Sequence, residues 1–177
     1  MGVLYGVLIG IAVIGIWFIS VYNSFKKMVV RCDEASSGID VALAKRYDLI
    51  TNLVATVKGY AKHEESVFTQ VAQIRSLIKG NRSAAADQLD EAKGKLLAIA
   101  ESYPELKASA NFLDLQRSLS DVEEHLQASR RLYNHMVAAL NTKKEQFPSN
   151  IVAGMIGESG RDFFQADEIQ RSRVEIG

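Results

Sequence analysis

Histidines and carboxylates are the side chains that would give a helical protein chemistry, and this chain of 177 residues holds three histidines, His63, His125 and His135. A dinuclear metal centre in a helical bundle needs Glu-x-x-His pairs, because a three-residue step sets both ligands on one helix face. The residues three before the histidines are Tyr60, Val122 and Leu132, so the pair is absent. His-Glu-x-x-His, a phosphate-cradling glycine loop and a Gly-x-Ser-x-Gly elbow are absent too. Ser24-Phe25-Lys26-Lys27 has the Ser-x-x-Lys form, but it borders an apolar run, has no companion motif and reads as chance. The single cysteine, Cys32, excludes an internal disulfide and a thiolate-rich metal site. No catalytic residue, cofactor or bound metal is expected.

Two charged residues stand where apolar ones belong. From Ile39 a 4,3,4,3 spacing runs through Leu43, Arg46, Ile50, Leu53, Val57, Tyr60, Glu64, Val67, Val71, Ile74 and Ile78, apolar except at Arg46 and Glu64. A charge in a helical seam either lines a ligand or partner groove or is paired across the bundle, where it fixes register at some cost in stability. Pairing is the favoured reading, with Glu123 or Arg130 as the partner and Tyr47, Asp48, Tyr60, Tyr133 and Asn134 as candidates for an adjoining polar network.

The elements that must position these residues follow from periodicity and breakers. The seam predicts one amphipathic helix from Ile39 to Ile78, about 60 Å long at 1.5 Å per residue. Lys79 to Ser83 supplies a glycine stop and a new start with Ser83 as N-cap. A second helix, Ala84 to Glu101, is closed by Pro104, which has no backbone donor. A third starts near Asn111, carries Phe112, Leu115, Leu119, Val122, Leu126, Tyr133, Met136 and Leu140 in register, and ends at Pro148. A short fourth segment runs from Ile151 to about Ile156. The second helix is too short to return to the base alone, so Tyr103 to Ala110 is expected extended, letting the third helix rise beside the first; Phe163-Phe164 is placed to fold back as a plug.

Val3 to Tyr22 contains no charge and no proline over twenty positions. As a helix it is about 30 Å long, the thickness of a bilayer's hydrocarbon core. A cleaved secretory signal would have a basic start, a shorter apolar middle and a small-x-small site, none of which is clear. A retained membrane helix is therefore expected. Lys26, Lys27 and Arg31 follow it, while Met1 and Gly2 alone precede Val3, which predicts a single-pass protein of the cytoplasmic membrane with the N-terminus outside and the body in the cytoplasm. Trp17, Tyr22, Lys26 and Lys27 read as interfacial residues. Gly2, Gly6 and Gly10, four apart, form a small-xxx-small face suited to association of membrane helices. Asn23 to Gly38 has no proline, so the membrane helix can continue into the first bundle helix, with Ser36-Ser37-Gly38 as the natural hinge.

Lys plus Arg equals Asp plus Glu, 21 each. There is no excess of positive charge to hold a polyanion, so nucleic acid is not expected as a partner. The expected order is an external stub and membrane helix at 1–23, a juxtamembrane linker at 24–38, a helical bundle at 39–157 and a tail at 158–177. The fold class is all-α, an N-terminal transmembrane helix continuing into an antiparallel bundle of three to four helices.

A set of motifs spread through the chain resembles the LemA family. They are Tyr22-Asn23, Lys45-Arg46-Tyr47-Asp48-Leu49-Ile50, Asn52-Leu53-Val54, Lys58-Gly59-Tyr60-Ala61 with His63-Glu64, then Glu101 to Ala108, Asn111-Phe112, Leu115-Gln116, Arg130 to Asn134, Asn141 and Phe147 to Asn150. Thr51, Glu124 and Ser172 depart from residues common in the family: proline, asparagine and proline. The resemblance implies an N-terminal transmembrane helix, a small external N-terminus, a cytoplasmic helical bundle and no established biochemical activity. The expected function is that of a membrane-anchored, self-assembling scaffold whose partners are the lipid bilayer, further copies of itself and another membrane protein. The alternative is a sensor or relay acting through the long stalk helix.

Overall fold

The computed structural model describes residues 1–61 and 65–164. They form helices α1 (Gly2–Lys58), α2 (Glu65–Gly80), α3 (Arg82–Glu101), α4 (Pro104–Lys107), α5 (Ala110–Glu145) and α6 (Ser149–Ile156), with no strand among the described residues. The all-α class read from periodicity is thus observed.

α1 settles the question of continuity: one helix of 57 residues passes through Ser36-Ser37-Gly38 without a break. A glycine in mid-helix costs only about 1 kcal/mol relative to alanine, and the apolar residues on either side restore more than that on burial. Gly59 does end the helix, and the expected run to Ile78 is divided there. The amide nitrogens of Tyr60 and Ala61 both close on the Val57 carbonyl oxygen at 2.9 Å, a terminating turn. The seam pattern carries on into α2, where Val71 and Ile74 are buried, because both helices turn the same stripe to one core. Periodicity reports which face is covered, and a reversal that keeps the face covered leaves the period intact.

That reversal changes the topology. Two compact units are present, Met1–Ser36 with Arg131–Phe164, and Ser37–Arg130. In the latter, α1 and α5 run antiparallel, as shown by Arg46 against Glu123 at 3.0 Å near the middle and Thr56 against Asn111 at 3.2 Å near the end. α3 runs parallel to α1, with Arg82 on Asp40 at 2.6 Å and Arg46 on Asp90. α2 and α3 form a hairpin joined at Asn81, with Lys95 on Gln70 at 3.0 Å. The unit is an up-down-up-down four-helix bundle, so α5 descends beside α1 instead of rising with it. Its core holds Ile39, Leu43, Ile50, Leu53 and Val57 of α1, Leu89 and Leu96 of α3, and Leu119, Val122 and Leu126 of α5, all buried. Each such side chain contributes about 1.5–3 kcal/mol on burial.

Two local expectations are corrected. Asn81, not Ser83, caps α3, its Oδ1 accepting from the Ala84 amide at 3.0 Å. Either residue type can cap, and the extended backbone at Asn81 (φ −143°, ψ 91°) decides between them. Residues 103–110 are not extended. Pro104 closes α3 and opens α4, since a proline's fixed φ suits a first helical position as well as it disrupts an interior one. Leu106 of α4 is buried, and the Ser109 hydroxyl accepts from the Phe112 amide at 3.3 Å at the start of α5.

In the other unit, Phe25, Cys32, Val137, Leu140 and Ala153 make a small buried core, with Val21, Met28 and Ile156 packed on it. After α6, Gly157 and Gly160 adopt positive φ (67° and 80°), and the chain turns back along α5.

Candidate functional site

Arg46 is the one buried charged residue among those described, 1% exposed, and α1, α3 and α5 meet around it. Its guanidinium binds Asp90 of α3 through both terminal nitrogens and lies 3.0 Å from Glu123 Oε2 of α5. Its Nε has no hydrogen-bond partner among the described residues. Arg130, two turns further along the same face of α5, loses some of its usual basicity to burial; Glu123 opposes that loss and Arg46 adds to it. The result is a cluster of alternating sign across three helices. A guanidinium is always protonated, and here it pairs charge across the three helices.

Asp90 carries no mark of this role in the sequence. It adjoins seam residue Leu89, at a flanking position where an acid ordinarily reads as solvated surface, and its side chain is still 57% exposed. Glu64, the second seam charge, lies outside the described residues. Tyr133 and Asn134 bind the chain that returns after α6. The Tyr133 hydroxyl donates to the Asp162 carbonyl at 3.2 Å, and the Asn134 side-chain amide donates to the Phe164 carbonyl at 3.0 Å while accepting from the Phe164 amide at 2.8 Å.

Asn141, two turns along α5 from Asn134, repeats that arrangement on Arg161, donating at 2.8 Å and accepting at 3.0 Å. Two asparagine amides thus bind the returning backbone as a neighbouring strand would. Arg161 then reaches Asp33 of α1 at 2.6 Å. The fold-back at Phe163-Phe164 is held through the backbone of Phe164, and Phe163 is half exposed. No sequence signal marks such a clamp beyond an Asn-x6-Asn spacing.

Cys32 sits within this unit, fully buried. Burial pushes its thiol pKa up, Arg161 opposes this, and Asp33 and Glu158 add to it. The thiolate is the reactive form, so Cys32 is expected to react with a water-soluble disulfide reagent at least about tenfold more slowly in the native than in the urea-unfolded protein. A folded pKa above the unfolded one means that the neutral thiol's share of stability is full below about pH 8.5 and is lost as pH rises through the folded value. Thiol titration from pH 7 to 10 checks both; equal native and unfolded rates would count against the burial.

Of the membrane-segment residues, Gly2, Gly6 and Gly10 share one face of α1 with open space beside each. Trp17 and Tyr22 are about one-third exposed, and the Lys26 ammonium lies 5.6 Å from the centre of the Tyr22 ring. α1 is long and apolar enough to cross a membrane, and no part of its most apolar stretch is buried.

Residues 35–177 match the sequence profile of the LemA family. The chain belongs to that family. Protein LemA of Metamycoplasma hominis is 30% identical over 179 residues, an overlap covering 96% of this chain and 81% of that protein. Magnetosome protein MamQ 2 of Paramagnetospirillum magneticum is 23% identical over 175 residues, and magnetosome protein MamQ of Magnetospirillum gryphiswaldense 24% over 174. Each of these two overlaps covers 81% of this chain and 64% of the relative, so the chain spans somewhat under two thirds of the length of the MamQ proteins. The LemA family match takes in the whole four-helix unit, Arg46 and its partners included. None of these names states an enzymatic activity.

Proposed function

We propose that this LemA family member is a non-enzymatic scaffold of the cytoplasmic membrane, anchored by α1, that assembles with copies of itself and presents its helical bundle to another membrane protein. The observation that carries this reading is the continuity of α1, in which an apolar segment exposed on all sides passes into a bundle helix with no intervening loop. An exposed all-apolar helix has lipid or other such helices as its stable surroundings. Lys26, Lys27 and Arg31 after the span support a cytoplasmic bundle. The open face at Gly2, Gly6 and Gly10 supports close approach of a second span. The pairing of Arg46 with Asp90 and Glu123 is the arrangement of a register-setting polar group, not of a nucleophile and its base.

Light scattering and direct imaging of the full-length protein in mild detergent test the proposal. A large, closed particle is expected, and Gly6→Ile is expected to shift it to lower mass. A monomer in both forms overturns self-assembly. An unshifted large particle moves the contact from the glycine face to the bundle.

A further inference from the structure

α6 is apolar on two sides. Val152 and Ala153 are buried, whereas Ile151 and Met155, four apart on another face, are 54 and 71% exposed, and Phe147, two residues before the helix, is 81% exposed. A helix that is covered on one apolar face and bare on a second has an occupant for the second. The place of α6 on α1 identifies it. Ala153 and Ile156 share one core with Val21, Phe25, Met28 and Cys32, a stretch of α1 from the last turn of the apolar run to ten residues beyond Tyr22. At 1.5 Å per residue that stretch reaches about 15 Å past the run, through the headgroup layer on one side of a bilayer and just beyond it. Cations crowd the same level: Lys26, Lys27 and Arg31 on α1, and Lys143 and Lys144 in the last turn of α5.

We propose that α6 is an interfacial helix, seating Phe147, Ile151 and Met155 among the headgroups and upper acyl chains of the anionic bilayer that α1 crosses. The inference rests on the reading of α1 as a membrane span. An apolar face rimmed by lysine and arginine is the composition that binds this zone, the side chains entering the acyl boundary while the cations meet lipid phosphates. A protein partner arriving from solution would have to displace that headgroup layer first. The attachment gives the unit a second hold on the membrane besides the span.

Trp17 is the sole tryptophan, which makes the test clean. Full-length protein is reconstituted into phosphatidylcholine–phosphatidylglycerol vesicles with or without acyl-brominated lipid. Four forms are compared: wild type, Trp17→Phe with Ile151→Trp, Trp17→Phe with Met155→Trp, and Trp17→Phe with Val41→Trp as a water-exposed control, Val41 being 68% exposed in the four-helix unit. Bromolipid is expected to lower emission about twofold for wild type and for the two α6 variants, with iodide quenching of the α6 variants at most about a third of that for the Val41 variant. Quenching at Trp17 with none in either α6 variant overturns the interfacial helix alone. Absence of quenching at Trp17 overturns the membrane span and the inference with it. Protection of both α6 variants from iodide without bromine quenching also overturns it, in favour of a protein partner.

Discussion

Replacing Asp90 and Glu123 together by alanine is expected to cost the four-helix unit about 3–5 kcal/mol, the price of leaving a buried guanidinium without counter-charge. Arg46 is 1% exposed, so water cannot take over from the lost carboxylates without opening the helices. The sharper expectation is the rescue: adding Arg46→Leu to the double variant removes the orphaned charge, fills the space with methyl groups and returns most of the loss. Arg46→Leu by itself is expected to be within about 1 kcal/mol of wild type or slightly more stable, because a buried ion pair seldom outperforms well-packed apolar side chains. Asp90→Ala by itself is expected to cost no more than about 1 kcal/mol, since that carboxylate is 57% exposed and screened by solvent. Thermal melts of the detergent-solubilised chain followed by circular dichroism read the series, with the double variant lowered by roughly 6–20 °C for a chain of this length. A double variant that melts with wild type, or a triple variant no better than the double, would remove Arg46 from its place as a buried, paired charge.

Gly160→Val is expected to strip residues 158–164 from α5. Gly160 has φ +80°, which a β-branched residue adopts only at a cost of about 1–2 kcal/mol. A Cβ at that position would also lie 2.6 Å from Asn141 Oδ1, the atom that accepts from the Arg161 amide. The substitution therefore attacks the clamp at its first rung, and each lost hydrogen bond adds about 0.5–1.5 kcal/mol. Gly157→Ala separates the two effects. Its φ is also positive, 67°, but a Cβ there meets nothing within 4 Å, so it incurs backbone strain without collision. Arg161 and Glu158 lie close enough to the Cys32 thiol to act on it, so release of the segment opens that side of the thiol's surroundings to solvent and is readable as faster thiol modification, against a smaller opposing effect from the loss of Arg161, which favours the thiolate. Gly160→Val is expected to raise that rate by at least about tenfold and Gly157→Ala by much less. Equal rates in the two variants would show that Asn141 swings aside and the segment stays docked.

Much of this molecule follows from local rules. The apolar run from Val3 to Tyr22, the helical periods after it and the proline at 104 act over a few residues, so the all-helical class and the end of α3 are legible without knowing the fold. Arg46 was conspicuous for the same reason, a charge set in a stripe of aliphatic residues. Tertiary structure decided what depends on positions distant in the chain. Whether a helix continues through a glycine is a contest between about 1 kcal/mol of local cost and whatever packing the two outcomes offer. At Gly38 continuity wins; at Gly59 reversal does, and that reversal sets α5 antiparallel to α1. The partner of Arg46 is a matter of interhelical register, and an aspartate on the flank of α3 carries no local mark of being chosen. Asn134 and Asn141 clamp a returning backbone through hydrogen bonds that any asparagine can make, so only the arrival of residues 161 and 164 beside them gives them that work.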